Sequence, residues 1–372
     1  MAAYILRRLL LMIPTIFGIL LISFVIVQFA PGGPVERMIA QFTGLDDGGA
    51  TARVSGAGGD LGGGDEFLSR GMESGGGSSR YRGAQGLDPA FIAELEAQFG
   101  LDKPAHERFF IMIGDYLRFD LGESFYRDKS VIGLIAEKMP VSISLGLWTT
   151  LLIYMISIPL GIAKATRDGQ AFDIWTSAVV VVAYAVPGFL FAVLLIVLFA
   201  GGTFLDLFPL RGIVSDNWAE LSWPARIADY FWHITLPVSA MVISGFATVT
   251  LLMKNSFLDE IRKQYVTTAR AKGLSERRVL YGHVFRNAII LIVSGFPGAF
   301  MHIFFTGSIL IETIFSLDGL GLLSFQSIVN RDYPVVFGSL YIFSLIGLLV
   351  HLFADIAYTW VDPRIDFEAR EG

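Results

Sequence analysis

The sequence contains no cysteine. A disulfide framework, a thiolate metal site and a cysteine nucleophile are therefore excluded, although the absence decides no compartment. Charge is scarce too. Only 17% of the 372 residues are Asp, Glu, Lys or Arg, against roughly a quarter in a soluble domain. Catalytic signatures are missing as well. There is no Gly-x-x-x-x-Gly-Lys-Ser/Thr loop, no His-Glu-x-x-His and no Gly-x-Ser-x-Gly, so no nucleotide-hydrolysing, zinc-protease or serine-hydrolase constellation is assembled. Glycine-rich strings between 44 and 86 are not phosphate loops, because no strand pattern precedes them and no Lys-Ser/Thr follows. The chain is expected to be non-catalytic and to hold no metal or cofactor of its own. Its net charge of −6 gives no case for a nucleic-acid partner.

What is abundant is apolar: 53% of residues are hydrophobic. The chain reads as an all-α polytopic membrane protein. A span needs ~20 residues to cross ~30 Å of hydrocarbon. Six segments qualify, at 9–30, 141–163, 174–201, 234–253, 288–311 and 335–360. The first, Leu9 to Ala30, is longer than the ~7–15 residues of a secretory signal core and lacks a clean cleavage site, so it reads as an uncleaved span. Lys and Arg set the orientation. Arg7 and Arg8, Lys164 and Arg167, the basic loop after the fourth span, and Arg364 and Arg370 fall on one side. The short opposite loops carry only Arg211, Arg226 and Arg331. Both termini are expected in the cytoplasm. The long outer segment 31–139 translocates largely regardless of its charge.

The organising stretch is 254–286, where eight Lys/Arg face three acids, Asp259, Glu260 and Glu276. Helix formers run up to Lys272. Gly273 can adopt the left-handed conformation that ends a helix, and Ser275 can cap the next one. The outcome is an elbow of helix, sharp corner and helix, with a tip suited to docking in a partner's groove. The docking residues are expected to be Thr268, Ala269, Arg270, Ala271, Lys272, Gly273, Leu274 and Ser275.

The outer segment holds two different textures. From Gly44 to Gly86, fifteen of forty-three residues are glycine, which leaves too little apolar surface to offset ordering entropy. Order returns with Asp88 as an N-cap and Pro89 as a first helical residue. Phe91, Ile92, Leu95 and Phe99 form a stripe that Gly100 closes. A second amphipathic helix is expected over 104–118, with Phe109, Phe110, Ile113 and Leu117 on one face. Pro187-Gly188 should interrupt the third span. Gly295, Pro297 and Gly298 should interrupt the fifth, which is expected to line a pathway. Few ionisable residues fall inside spans. They are His302, Glu312, His351 and Asp355; of these His302 is the pathway candidate, while caps or snorkelling suit the others.

Several of these strings resemble one family. Tyr265-Val266-x-Thr268-Ala269-Arg270-Ala271-Lys272-Gly273, followed by His283-x-x-Arg286-Asn287-Ala288, resembles the coupling loop of the dipeptide/oligopeptide permeases of ABC importers. Phe99-Gly100-Leu101-Asp102-Lys103-Pro104, Asp120-Leu121-Gly122-x-Ser124-Phe125, Ile311-Glu312-Thr313-Ile314-Phe315-Ser316 and Val361-Asp362-Pro363-Arg364 are similar to the same family. Tyr81-Arg82-Gly83 and Phe208-Pro209-Leu210-Arg211-Gly212 resemble its Yej-type branch. This resemblance implies a type I importer-like bundle of six helices in a bacterial inner membrane. It divides the chain into a first helix (1–30), a periplasmic segment (31–139) with the glycine-rich insert (44–86) and a helical scoop (88–125), a five-helix core (140–366) with the coupling loop (254–286), and a tail (367–372). It further implies a second permease subunit, an ATPase that binds ATP and Mg in its own chain, and a periplasmic peptide-binding protein docking near Phe91, Leu95, Phe99, Asp102 and Phe109. The expected cargo is oligopeptides, including peptide-nucleotides of the microcin C kind, moved by alternating access. The rivals are a self-contained secondary transporter, which would place coupling charges at mid-membrane, and a membrane-embedded hydrolase, which the missing acid/base constellation disfavours.

Overall fold

The computed structural model describes residues 2–29, 33–42, 89–98, 100–200, 202, 204–305 and 308–361. Asp88, Phe99 and the glycine-rich insert 44–86 lie outside them. The described elements are helical. In chain order they are α1 (Ala2–Phe29), α2 (Pro34–Phe42), α3 (Pro89–Gln98), α4 (Ala105–Tyr116), α5 (Val131–Thr166), α6 (Ala171–Ala185), α7 (Gly188–Phe199), α8 (Trp223–Ile261), α9 (Gln264–Ala271), α10 (Glu276–Val279), α11 (Phe285–Ala288), α12 (Ile290–Phe305), α13 (Ser308–Ile314), α14 (Leu320–Asn330) and α15 (Tyr333–Val361). A single isolated β-bridge, Glu123 to Ser130, is the extended pairing among the described residues.

Among the described residues, four helices are long and apolar enough to cross a bilayer alone: Tyr4–Phe29, Val131–Thr166, Trp223–Ile261 and Tyr333–Phe353. Two bent pairs add one candidate span each, giving up to six. The α6–α7 pair turns by 93°, and Glu276–Ala288 turns by 40° into Ile290–Phe296. The first bend has a local cause. Proline drives its preceding residue out of the helical region, and Val186 is accordingly extended at φ −85° and ψ 117°. Gly188 then lets α7 approach α8, since a Cβ there would lie 2.2 Å from the Ser244 hydroxyl.

The second bend differs from expectation. Helix α12 continues through Gly295, Pro297 and Gly298, and the break falls at Ile289. Upstream of it, Leu280–Val284 forms a π-turn, one of the local features that accompany helix kinks. A proline within a membrane helix is tolerated when neighbouring groups satisfy the freed backbone.

The chain divides into two compact units. One comprises residues 1–8, 138–322 and 346–372. Its spine is α8, which packs against α6, α7, α11, α12 and α13. One apolar core gathers Leu145, Leu195, Ile234, Leu236, Ile311 and Phe315. A second gathers Met253, Phe257, Val266, Val279, Val284 and Ile292 beneath the elbow. Near the ends of the chain, the Asp355 carboxylate accepts the Tyr4 hydroxyl at 2.9 Å and pairs with Arg8 at 3.0 Å.

The other unit comprises residues 9–137 and 323–345. Phe109 stacks edge-on against Phe17 and packs beside Phe24, with centroids 5.5 and 5.3 Å apart. Leu95 packs on Val35 and Ile39. The expected face of α4 is split: Phe109 is buried, whereas Phe110 and Leu117 are exposed, and Tyr116 takes the second buried position. Leu10, Ile13, Ile22 and Ile26 are exposed along α1, an apolar stripe that suits a lipid environment.

Asp332 ties this unit together. Its carboxylate accepts hydrogen bonds from the Ser124 hydroxyl, the Phe125 N–H and the Val335 N–H. It thereby caps the first turn of α15 and fixes the segment 121–125 to it. Burial pushes this carboxyl above the usual carboxylate range, against the pull of those bonds. A folded pKa above the unfolded one means that the folded state binds more protons. Asp332 therefore costs stability as pH rises past its unfolded value. Asp332→Ala would leave a hydroxyl and two N–H groups unpaired, and a loss of about 1–3 kcal/mol is expected. Asp332→Asn should flatten the fall in stability that sets in as pH rises past the ordinary aspartate range. Thermal melts of the detergent-solubilised protein across that range check both.

Candidate functional site: the elbow and its anchor

The elbow forms as its sequence dictates. Helix α9 ends at Ala271, and Gly273 takes φ +79°. The Leu274 N–H bonds back to the Ala269 carbonyl and the Gly273 N–H to the Arg270 carbonyl, the paired bonds of a Schellman ending. Nothing lies within 4 Å of where a Gly273 Cβ would stand. The glycine is thus required by backbone conformation and not by crowding. Gly100 closes α3 with the same two bonds, Leu101 to Glu96 and Gly100 to Ala97.

Across the corner, Arg270 donates to Glu276 through Nε at 3.0 Å and through a terminal nitrogen at 2.6 Å. Both partners are about half exposed, so the pair orients the corner more than it stabilises it. Its presence raises the Arg270 pKa. Tyr265, at the base, donates to Glu260 at 2.9 Å, and burial raises its phenol pKa.

Two expectations about the elbow need correction. Ser275 occupies the N-cap position of α10, with φ −64° and ψ 146°, but its side chain makes no capping bond. Only its carbonyl takes part, accepting the N–H groups of Arg278 and Val279. Ala269 is buried, together with Val266, on the core beneath. It serves as a floor to the corner and is not a docking surface. Thr268, Arg270, Ala271, Lys272, Gly273 and Ser275 are exposed, and Leu274 is half-buried.

Where α8 approaches the elbow, the structure shows a charge cluster that the sequence did not suggest. Lys164 has no exposed side-chain surface. Its ammonium lies 3.0 Å from the Asp173 carboxylate and donates to the Asp173 carbonyl at 3.0 Å, Thr176 at 2.9 Å and Ser177 at 2.7 Å. Lys254 reaches the same carboxylate at 2.7 Å and Asp168 at 3.0 Å. The Gly169 N–H completes the Asp173 shell at 3.2 Å. The end of α5, the turn after it, the start of α6 and the lower part of α8 are thus tied at one point. Lys164 and Lys254 read in sequence as loop cations. The available signal was Asp173 with Thr176 and Ser177, three polar residues opening an otherwise apolar helix.

Glu312 is fully buried. It accepts the Leu322 N–H at 2.6 Å, in the first turn of α14, where a carboxylate is favoured by the helix dipole. Gly319 makes room for it: a Cβ there would stand 2.5 Å from the carboxylate. Glu312 is therefore a cap and does not snorkel.

Of the residues expected to meet a binding protein, Leu95 and Phe109 are buried core positions, which removes them from any docking surface. Asp102 is exposed. Phe99 and the side chain of Phe91 lie outside what the structure describes. Among the pathway candidates, Gly295 is exposed within α12. The side chains of Pro297 and His302 are likewise outside the described set.

A bundle of apolar helices, up to six candidate spans among the described residues, with an exposed basic elbow defines a polytopic membrane protein. The family described as binding-protein-dependent transport system inner membrane component matches residues 157–367, and the chain belongs to it. The peptidoglycan transport system permease protein YejB of Agrobacterium fabrum is 64% identical over 371 residues, with all of both chains covered. The inner membrane ABC transporter permease protein YejB of Escherichia coli O157:H7 is 57% identical, again across both full lengths. The oligopeptide transport system permease protein AppB of Bacillus subtilis is 30% identical over 368 residues, covering 99% of this chain and 100% of that protein. The chain is the permease subunit of an ABC peptide transporter, a non-catalytic inner-membrane component. Such components operate with an ATPase and a periplasmic binding protein.

Proposed function

We propose that this permease passes oligopeptides from a periplasmic binding protein into the cytoplasm by alternating access, with the elbow as the mount for an ATPase. The observation that carries this reading is the corner at Gly273. A short exposed helix ends there in a fixed turn, floored by Val266 and Ala269 on the core that also holds α8 and α11. A push on α9 is therefore transmitted to two elements of the bundle. ATP and Mg are bound by the ATPase chain. The six spans run with both termini in the cytoplasm, counting each bent pair as one, and a second, homologous permease completes the pathway. The coupling loop 254–286 belongs to the core permease domain 140–366, and the helices between 88 and 125 form the periplasmic scoop.

The cargo reading has two forms. Loose peptide selectivity extends to peptide-nucleotides of the microcin C kind. The name of the Agrobacterium fabrum relative, at 64% identity, favours peptides of cell-wall origin as part of the same range. The test is to purify the chain from its host in mild detergent and identify what accompanies it by mass spectrometry, beside a Gly273→Arg variant. A Walker-motif ATPase and a second permease should accompany the wild type, and the ATPase should be lost from the variant. A chain that purifies alone and moves peptide in liposomes without ATP would overturn the reading.

A further inference from the structure

Helix α4 carries an apolar flank that its own unit leaves uncovered. Successive residues of a helix turn by about 100°, so Phe110, Ile113 and Leu117 share a sector beside the buried line of Phe109 and Tyr116. Phe110 is 65% exposed and Leu117 73%, and Ile113 is half-buried. His106, in the first turn, is the polar member of that sector. Glu107, Arg108 and Asp115 fall on the other side of the helix, with Ile111 among them. Phe119, just past the helix, adds a further exposed ring. A contiguous apolar patch exposed in this way marks a contact with protein or with membrane.

The contacts of α4 give its depth along the spanning helices. Phe109 stacks against Phe17 and packs beside Phe24, and Arg108 donates to Gln28 at 2.8 Å. Phe17 lies midway along the apolar helix Tyr4–Phe29. At the helical rise it is about 18 Å from the Phe29 end, and Phe24 is about 8 Å from it. On the other side, Tyr116 and Phe119 meet Tyr341, with centroids 5.2 and 6.1 Å apart. Tyr341 stands about 12 Å below the start of the apolar helix Tyr333–Phe353. Helix α4 thus crosses two candidate spans well inside their ends. A 26-residue helix centred in a ~30 Å hydrocarbon core outruns it by only a few ångströms at each end. The contacts with Phe17 and Tyr341 therefore fall below the boundary between headgroups and acyl chains. Phe17 is itself exposed on one side, so the uncovered flank of α4 continues the exposed stripe of α1.

We propose that α4 is an interfacial membrane helix, lying at the acyl-chain boundary of the leaflet at the Phe29 end of α1. Phe110, Leu117 and Phe119 enter the lipid, while Glu107 and Arg118, both exposed, face headgroups and water. That leaflet is the outer one in the orientation proposed above. An amphipathic helix of this kind sits ~5–10 Å into the boundary, the depth at which the aromatic contacts hold α4. The partner of this flank is the bilayer and not the binding protein, because a soluble protein does not reach a face held at the level of Phe17. Docking is left to the charged side of the scoop. The proposal rests on α1 and α15 as spans and is independent of the cargo.

The chain has no cysteine, so a single introduced cysteine reports one position, with the wild-type chain as background. The complete transporter carrying Phe110→Cys, Leu117→Cys, Glu107→Cys or Ile22→Cys is labelled with bimane and reconstituted in phosphatidylcholine bilayers. All four positions are exposed, so none of these changes opens the core. Ile22, on the exposed stripe of α1, sets the scale. Labels at 110 and 117 should lose about half their fluorescence when the acyl chains carry bromine, as the label at 22 does, and should ignore iodide in the water. The label at 107 should show the reverse. Saturating binding protein should leave the signals at 110 and 117 unchanged. Labels there that are quenched by iodide, shielded by the binding protein, or reached by neither quencher would overturn the proposal, the last case meaning a protein cover such as the second permease. None of these outcomes bears on ATP-driven uptake, so peptide import would stand.

Discussion

Replacing Asp173 by alanine is expected to destabilise the permease by about 3–5 kcal/mol, the usual consequence of stranding buried charge. Two ammonium groups converge on this one carboxylate, Lys164 at 3.0 Å and Lys254 at 2.7 Å. Lys254 retains Asp168 as a second partner, but Lys164 would be left with only neutral oxygens in a site without solvent access. The controls follow from that asymmetry. Lys164→Met leaves Asp173 paired with Lys254 and should cost less than half as much. Lys164→Met combined with Asp173→Leu exchanges one ion pair for apolar volume, and such exchanges are often close to neutral, so the double variant should recover most of the loss. Chemical denaturation in detergent reads all three. A loss below ~1 kcal/mol for Asp173→Ala would mean that water reaches the cluster and that it contributes no more than a surface pair. Transport should suffer beyond stability, because the same carboxylate fixes α8 to α6 just ahead of the elbow.

The elbow was legible in the sequence because its determinants are local. A glycine after a run of helix formers permits the positive φ that ends a helix, and the Schellman bonds follow within six residues. Gly100 and Pro187-Gly188 were legible for the same reason. The scoop was less so. A stripe such as Leu95 with Ile92 establishes that a helix buries one face, but the partner that buries it lies elsewhere in the chain, here Val35 and Ile39. Periodicity cannot separate a docking face from a core face. Phe109 shows this most plainly, as the centre of an aromatic layer with Phe17 and Phe24. Lys164 was not legible because a basic residue near a span end is ordinarily solvated. Its burial depends on Asp173 arriving nine residues later across a turn. The break at Ile289 in place of 295–298 has a similar origin. Glycine and proline permit a kink without requiring one, and nothing in the string around Ile289 marks a break.

Gly273→Val is expected to cut ATP-driven peptide uptake at least tenfold while leaving membrane insertion intact. The wild-type corner sits at φ +79°, where an L-residue pays about 1–2 kcal/mol and a β-branched one more. Because no atom stands within 4 Å of the new Cβ, the cost is conformational and does not propagate into the core through a clash. The chain relieves it by opening the corner, which breaks the Leu274 to Ala269 and Gly273 to Arg270 bonds and swings Arg270 away from Glu276. The tip then presents a different surface, although Val266 and Val279 still hold their places in the core. Gly273→Asn supplies the internal control, since asparagine tolerates the left-handed region. It should restore most of the uptake without restoring glycine's freedom. ATP hydrolysis by the assembled transporter, measured alongside uptake, separates the two ways of failing. Hydrolysis that persists without peptide uptake indicates that the ATPase still docks but no longer moves the bundle. Hydrolysis that loses its response to the binding protein, together with loss of the ATPase on purification, indicates that the corner itself is the grip. Normal uptake by Gly273→Val would mean that the turn is incidental and that coupling enters the permease elsewhere.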